Sequence, residues 1–241
     1  MGKITLKLFI GSFLGGLVGA LFLSVINFGF LGANVTKTIN QQNKTIENPQ
    51  LLIPSSELWE KNIVELSPSL VGVQTINDNQ VIRQGSGIII SSDGLVVTTA
   101  DLWGPKGSIY QIFYDDKIAK GELIKIDSKT KLLLIKTTVS NSNIVELSTS
   151  DYRSGQEVLV VGKVFSLSKP VIASQKGIIS QVSENSVIID IFPNKYLHGF
   201  GVSDKDGQLR GIVYLKNGMV NLIKSEVIEK FFKDYLEKNS Q

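Results

Sequence analysis

The fold is decided by residues 85–99, which read GSGIIISSDGLVVTT. Two runs of aliphatic and β-branched residues flank the pair Asp93-Gly94. β-Branched residues favour strands, and Asp-Gly between two apolar runs is a strong signal for a tight turn. This stretch therefore predicts two antiparallel strands joined by a short turn.

Short apolar runs of the same kind continue on both sides of this stretch, and a polar break at Ser140–Ser154 divides them into two groups. Many short strands with turns at intervals of about 8–12 residues are typical of β-sandwiches and β-barrels. We therefore predict two β units of similar size. Their predicted strands are Leu70–Thr75, Val81–Ile90, Leu95–Thr99, Ile109–Tyr114, Ile118–Ile126 and Leu132–Thr137, then Glu157–Val161, Val171–Val182, Ser186–Ile191, Gln208–Tyr214 and Met219–Ile223.

Two segments have helical rather than strand periodicity. Apolar residues lie at helical spacing in Ser56–Leu66, which predicts a short helix before the first strand. The segment 225–237 has an apolar face of the same kind, and Ser225 is a suitable N-cap. We therefore predict a helix at the C-terminal end.

The N-terminal segment has the pattern of a membrane anchor. Residues 8–33 contain no charged side chain, and Lys3 and Lys7 precede them. Such a run can cross a hydrocarbon core of about 30 Å as a helix, and preceding lysines favour a cytoplasmic N-terminus. We predict a cytoplasmic segment 1–7, a transmembrane helix 8–33 in the lipid bilayer, a polar tether 34–55 and an extracytoplasmic domain 56–241.

The alternative is a cleaved signal peptide, whose apolar region spans only about 7–15 residues. The length of the run favours the uncleaved, single-pass anchor. Within it, Gly11, Gly15 and Gly19 recur at four-residue spacing on one helix face. This spacing permits close helix packing, although glycine is also common in membrane helices for no such reason.

Composition excludes several kinds of chemistry. The 241 residues include one histidine and no cysteine, so a disulfide, a thiolate metal site and a cysteine nucleophile are excluded. The formal charge is only +3, and no basic stripe is interleaved with aromatic residues. We therefore expect no nucleic acid partner. Any imidazole-dependent catalysis would have to use His198.

Three segments carry a family resemblance. Residues 85–99, then Asp127–Lys136, then Asp206–Ile212 resemble, in the right order, the trypsin-like serine proteases of the HtrA type. The resemblance implies an all-β fold, a double six-stranded β-barrel with a C-terminal helix. It implies barrel one at about 67–139, barrel two at about 155–223 and the helix at 225–237.

The resemblance also identifies the positions that carry catalysis in that family. Asp101 stands where the family has its histidine, Lys131 where it has its aspartate, and His198 where it has its serine. Tyr196 replaces a glycine that supports the oxyanion hole, whereas Gly199 remains glycine. The resemblance therefore implies a degenerate triad and an altered oxyanion-hole region.

These replacements predict a pseudoprotease. Position 198 has no hydroxyl to accept an acyl group, and position 101 has no imidazole to activate one. The family's fold implies that the three positions meet, so we expect a Lys131–Asp101–His198 polar cluster in which the pKa of Asp101 is lowered. Asp101 and His198 beside a lysine make a poor metal site, and we expect no metal and no cofactor.

A pseudoprotease of this kind would keep a peptide- or partner-binding, regulatory role in the cleft between its barrels. Two alternatives stay open, namely a hydrolase or peptidase rebuilt around His198 and a structural anchor that oligomerises through its membrane helix. The triplet Gly85-Ser86-Gly87 lacks the full Gly-x-Ser-x-Gly pattern of a nucleophile elbow. We therefore predict that it belongs to a strand.

Overall fold

The computed structural model describes residues 55–140, 144–166 and 169–239. The predicted transmembrane helix 8–33, its three glycines and the tether up to residue 54 lie outside the described residues. Within the described ranges, no helix is both long enough and apolar enough to span a membrane.

The first β unit is a closed antiparallel barrel with the strand order β1-β2-β3-β6-β5-β4. Its interior is filled by aliphatic side chains such as Val71, Val96 and Ile135, which alternate along the strands with residues that face outward. The strands are β1 (Leu70–Asn77), β2 (Gln80–Ile89), β3 (Leu95–Thr99), β4 (Ile109–Tyr114), β5 (Lys117–Asp127) and β6 (Leu132–Thr137).

The second β unit is also a closed antiparallel barrel, with the order β10-β11-β12-β9-β8-β7. Its core contains Val158, Val160, Ile189 and Val213. The strands are β7 (Glu157–Ser166), β8 (Lys169–Ser183), β9 (Ser186–Asp190), β10 (Gly201–Ser203), β11 (Leu209–Lys216) and β12 (Met219–Lys224). The predicted all-β double six-stranded barrel is thus confirmed.

Two helices flank the barrels, α1 (Ser55–Leu66) and α2 (Ser225–Asn239). Trp59 of α1 and Phe231 of α2 belong to one buried cluster that also contains strand residues of both barrels, Leu70 and Leu209 among them. Burial of these apolar faces stabilises the helices where sequence propensity alone would not. The predicted C-terminal helix is confirmed.

The structure corrects several predicted strands of the second barrel. The short strand β10 was not predicted, because its three residues Gly201–Ser203 show no alternation. Strands β7 and β8 form a hairpin longer than the predicted Glu157–Val161 and Val171–Val182. The hairpin is long because its end packs on barrel one, where the Phe165 and Phe113 rings meet edge to face at 5.1 Å.

Candidate functional site

Asp101 is positioned by the pairing of β3 with β6. Strand β3 ends at Thr99, and Ala100–Leu102 form a single 3-10 turn that carries Asp101. The Ala100 N–H donates a hydrogen bond to the Lys131 carbonyl at 2.8 Å. Lys131 adopts a left-handed backbone conformation, φ 63°, at the turn that leads into β6. The backbones around Asp101 and Lys131 are therefore fixed side by side in barrel one.

His198 is positioned by a loop of barrel two. It follows a 3-10 turn at Lys195–Leu197 and precedes β10. Its carbonyl accepts a hydrogen bond from the Ser86 N–H at 2.9 Å, so the loop is tied to β2 of the other barrel. This bond holds the imidazole at the junction of the two barrels.

The structure brings Asp101 and His198 together. The imidazole Nδ1 of His198 lies 3.0 Å from the carboxylate Oδ2 of Asp101. The buried Nδ1 has no aligned hydrogen-bond partner within the described ranges, so the contact is close but is not an aligned hydrogen bond. The side chains of His198 and Asp101 are 22% and 43% exposed, so solvent partly screens the pair.

The contact changes the electrostatics of Asp101. The pKa of its carboxyl is lowered, chiefly by the polar contact with His198, and the positive charges of Lys131 and Arg83 contribute. Partial burial acts in the opposite direction. The carboxylate is therefore held in its ionised form.

The predicted three-residue cluster is only partly formed. Between the described parts of the chain, no ion pair within 4.0 Å joins Lys131 to Asp101. The Lys131 side chain is exposed, and a hydrated ammonium gains little from desolvating itself to reach a half-exposed carboxylate. Lys131 therefore acts on Asp101 at longer range, through its charge and through the backbone bond to Ala100.

The Gly85-Ser86-Gly87 triplet lies inside β2, as predicted for a strand. The Ser86 hydroxyl is buried, donates to the Val71 carbonyl at 3.2 Å and accepts from the Lys163 N–H at 3.0 Å. Since Lys163 belongs to β7, Ser86 connects the barrels. Its hydroxyl is engaged in these two hydrogen bonds and is therefore not a free nucleophile.

Gly199 fits where a side chain would not. Its φ of +77° lies in the left-handed region, and a Cβ there would be 2.0 Å from the Ser86 carbonyl oxygen and 2.4 Å from the Thr98 hydroxyl. Its N–H donates to the Val213 carbonyl at 3.0 Å. This glycine allows the His198 loop to lie directly against β2.

The region of the predicted oxyanion hole is occupied by an internal contact. The Tyr196 N–H donates to the Asn194 side-chain oxygen at 3.1 Å. An oxyanion hole needs N–H donors aimed at the reacting oxygen. The N–H at position 196 is thus already engaged, and Tyr196 is 41% exposed.

Two other hydroxyls near the Asp101–His198 pair are unsuited to act as nucleophiles. The buried Thr98 hydroxyl donates to the Ser86 carbonyl at 2.6 Å. Burial raises the pKa of the Tyr214 phenol, and the negative charge of Asp101 raises it further. A phenol whose ionisation is disfavoured is a weak nucleophile at neutral pH.

One strand segment beside the site has an open edge. Residues 214–216 of β11 pair with β12 on one side, whereas the pairing of β11 with β10 ends at Ile212. Within the described ranges no strand pairs with the other side of 214–216. Such an edge can accept an extended peptide as an additional strand.

Within the described ranges, no group of three or more His, Asp or Glu side chains is arranged to hold a metal ion. Sequence reasoning missed three residues of the site, namely Arg83, Asn194 and Tyr214. They lie in a solvent-facing part of β2, in a loop and in β11, and only the closure of the barrels brings them near Asp101 and His198.

Comparison with known proteins matches this architecture. Residues 85–212 match the trypsin-like peptidase domain. The chain is 32% identical over 154 residues to the serine endoprotease DegS of Haemophilus influenzae, a match that covers 59% of this chain and 44% of that protein. It is 30% identical over 195 residues to the serine protease HTRA4 of Mus musculus, covering 73% of this chain and 40% of that one.

A solved structure shows the same fold. The crystal structure of the serine endoprotease from Yersinia pestis superposes with a TM-score of 0.67 at 20% sequence identity, covering 75% of this chain and 67% of that one. The chain spans about two fifths of the length of the two curated relatives named above.

Proposed function

Because the chain belongs to the family of trypsin-like peptidase domains, which its residues 85–212 match, we propose that it is a catalytically inactive member that binds extended polypeptide between its barrels. The supporting observation is the contact of Asp101 with His198. The pair consists of a carboxylate and an imidazole, and neither provides the hydroxyl on which serine-type acyl transfer depends.

The surroundings of this pair support inactivity for a second reason. The Ser86 and Thr98 hydroxyls are buried donors to backbone carbonyls, and the Tyr196 N–H is bonded to Asn194. A rebuilt protease would have to break at least one of these bonds before it could place a nucleophile or an oxyanion donor. Within the described ranges, these two hydroxyls and this N–H are therefore already engaged.

Peptide binding is supported by the open edge at residues 214–216. Main-chain hydrogen bonds along such an edge supply affinity without catalysis. We further propose that residues 8–33 anchor the protein and that the barrels lie outside the cytoplasm. This part of the proposal rests on the uncharged apolar run and the lysines before it.

The test combines binding and turnover in one sample. Full-length protein is mixed with fluorescein-labelled unfolded casein, and both anisotropy and release of small fragments are followed. We expect anisotropy to rise without fragment release. Fragment release at a rate proportional to protein concentration would contradict inactivity.

The location of binding is tested by photo-crosslinking. A photoreactive residue is placed at Lys216, on the open edge, and in a matched variant at Ile178, an exposed position of β8 that pairs with β7 on one side and with β9 on the other. We expect casein to crosslink at 216 and not at 178. Equal crosslinking at both positions would contradict binding by strand addition.

One observation favours an alternative function. The Nδ1 edge of His198 faces Asp101 and is buried, which is how a carboxylate orients an imidazole that acts as a general base. A hydrolase that activates water would use this arrangement. Turnover of an ester or peptide that His198→Ala abolishes would favour this alternative over the pseudoprotease.

A further inference from the structure

A cavity of barrel one is separate from the Asp101–His198 pair. It has a volume of about 910 Å³ and is formed by the loop before β4 and by parts of β4, β5 and β6. Neither Asp101 nor His198 contributes to its lining, and the open edge at 214–216 does not contribute either. Its role is therefore independent of the proposed peptide site. The lining consists of residues 103–110, 120–123 and 136–138.

The loop that forms one wall of this cavity is fixed by its own hydrogen bonds. The Trp103 N–H donates to the Ala100 carbonyl at 3.0 Å, and the Gly104 N–H donates to the Tyr110 hydroxyl at 3.2 Å. A Cβ at Gly104 would lie 2.3 Å from the Ser108 hydroxyl oxygen, so the loop is folded tightly on itself. A wall that is already ordered lowers the entropic cost of binding a ligand.

The cavity exposes three large apolar side chains to solvent. Trp103 is 44% exposed, Ile109 is 47% exposed and Leu123 is 37% exposed. They belong to the loop, to β4 and to β5, and all three line the same cavity. Exposed apolar surface that is gathered in a concave site is typical of ligand-binding sites, because a bound apolar group removes this surface from water. The cavity is thus suited to a ligand with an apolar ring or chain.

The same lining carries an excess of positive charge. It contains Lys106, Lys120 and Lys136 but only one acidic residue, Glu122. The Lys136 ammonium is paired with Asp93, which lies outside the lining. Within the described ranges, no carboxylate lies within 4.0 Å of the Lys106 or Lys120 ammonium. Two unpaired ammonium groups beside exposed apolar surface favour a ligand that also carries negative charge.

We propose that this cavity binds a small amphipathic monocarboxylate, with its apolar ring or chain against Trp103 and its carboxylate near Lys106 and Lys120. The apolar part contributes affinity because it covers surface that is otherwise exposed to water. The lysines bind the carboxylate as flexible point charges, so they impose little geometry on it. Glu122 limits the positive excess, which favours a ligand with one negative charge over a ligand with two.

The first test uses hydrocinnamate as the probe and the full-length chain. The protein has two tryptophans, so Trp59→Phe leaves Trp103 as the only indole reporter. Hydrocinnamate, the neutral hydrocinnamamide and the cationic phenylpropylamine share a phenyl group and differ in charge. Each is titrated at constant ionic strength while Trp103 fluorescence is followed.

We expect a saturable change in fluorescence with hydrocinnamate. The apparent Kd should be at least about threefold higher for the amide and higher still for the amine, because both lose the attraction of the lysines. Equal affinities for the three probes, or no saturable change with hydrocinnamate, would overturn the proposal.

Paired variants locate the carboxylate. The double variant Lys106→Gln/Lys120→Gln removes the two unpaired ammonium groups of the lining. The matched double variant Lys129→Gln/Lys205→Gln removes two exposed lysines outside this lining. We expect the apparent Kd for hydrocinnamate to rise at least about threefold in the first double variant and to stay unchanged in the second. Equal weakening in both would reflect net charge alone and would overturn the proposal.

Thermal stabilisation by hydrocinnamate provides a readout that needs no tryptophan, and it decides if Trp59→Phe does not fold. We expect stabilisation of the wild type and of Ile118→Ser, which changes an exposed apolar residue outside the lining. We expect the stabilisation to be lost in Trp103→Ser and to increase in Glu122→Gln, because the latter removes a like charge. Stabilisation of Trp103→Ser equal to that of the wild type would overturn the proposal.

Discussion

The imidazole Nδ1 of His198 lies 3.0 Å from the carboxylate Oδ2 of Asp101, and this contact joins the two barrels. Asp101 follows β3 of the first barrel, and His198 precedes β10 of the second. A base and an acid therefore meet at the junction where the resemblance implies a histidine and a serine.

The first prediction concerns the free energy of the Asp101–His198 contact. In a double-mutant cycle with Asp101→Asn and His198→Ala, we expect a coupling free energy of about 0.2–1 kcal/mol in urea unfolding, because both side chains are partly exposed. The surface pair Glu229–Lys233 serves as the control and should couple by less than about 0.5 kcal/mol. A coupling indistinguishable from zero would mean that the contact does not stabilise the fold.

The second prediction concerns pH. The pKa of Asp101 is lowered from 3.8 in the folded protein, so its ionised form is stabilised by folding. This contribution is present above 3.8 and is lost as pH falls through the lower, folded pKa. Wild type should therefore exceed Asp101→Asn in thermal midpoint near pH 5, and the difference should shrink below pH 4.

The control for the pH series is Asp190→Asn, which removes an exposed carboxylate at the end of β9. Thermal midpoints of the three proteins are measured by circular dichroism between pH 2.5 and 7. A difference between wild type and Asp101→Asn that grows on acidification would contradict the assignment, because it would require a raised pKa.

The third prediction concerns Gly199. In Gly199→Ala the new Cβ would lie 2.0 Å from the Ser86 carbonyl oxygen, in a left-handed backbone conformation. We expect a loss of more than about 3 kcal/mol in unfolding free energy, since a backbone clash adds to the conformational strain. Gly155→Ala has a similar φ of +84° but an open environment, and it should lose only about 1–2 kcal/mol. Equal losses would mean that the close approach to β2 is unimportant.

The fourth prediction concerns Arg210. Arg210→Met deletes a fully buried guanidinium together with its bonds to Ser148 and Asp151. It leaves the Asp204 carboxylate buried without its neighbouring cation, so we expect a loss of about 3–5 kcal/mol. The matched variant Arg153→Met changes an exposed arginine near Arg210. It should alter stability by less than about 0.5 kcal/mol. Chemical denaturation measures the unfolding free energy of both variants. Similar losses in the two would contradict the role given to Arg210.

Much of the fold could be predicted from the sequence, because most of its strands are indicated by patterns among residues that are close in sequence. The Asp93-Gly94 pair and the apolar runs beside it predict β2 and β3, and both strands are present with small shifts at their ends. Strand β10 could not be predicted, since Gly201–Ser203 is stabilised by β7 and β11 rather than by its own pattern. One of these neighbours, β7, is distant in sequence.

The candidate site could be predicted in part. The order of the three resembling segments predicted that Asp101 and His198 would be neighbours, and the structure places them in contact. Within the described ranges no ion pair within 4.0 Å joins Lys131 to Asp101, and the balance between hydration and ion pairing at an exposed lysine is not encoded in spacing. Arg210 had a signal that was overlooked, since it is a charge inside the apolar run of β11.

The most direct measurement of the central claim is covalent labelling with a fluorophosphonate, which reacts with activated serine hydroxyls. The full-length protein is treated beside an active trypsin-like protease, and labelling is read by intact mass. We predict no adduct on this chain, because the buried Ser86 hydroxyl beside the His198 loop already bonds the Val71 carbonyl and the Lys163 N–H. A stoichiometric adduct that maps to one serine and disappears in His198→Ala would contradict the account and establish a rebuilt hydrolase.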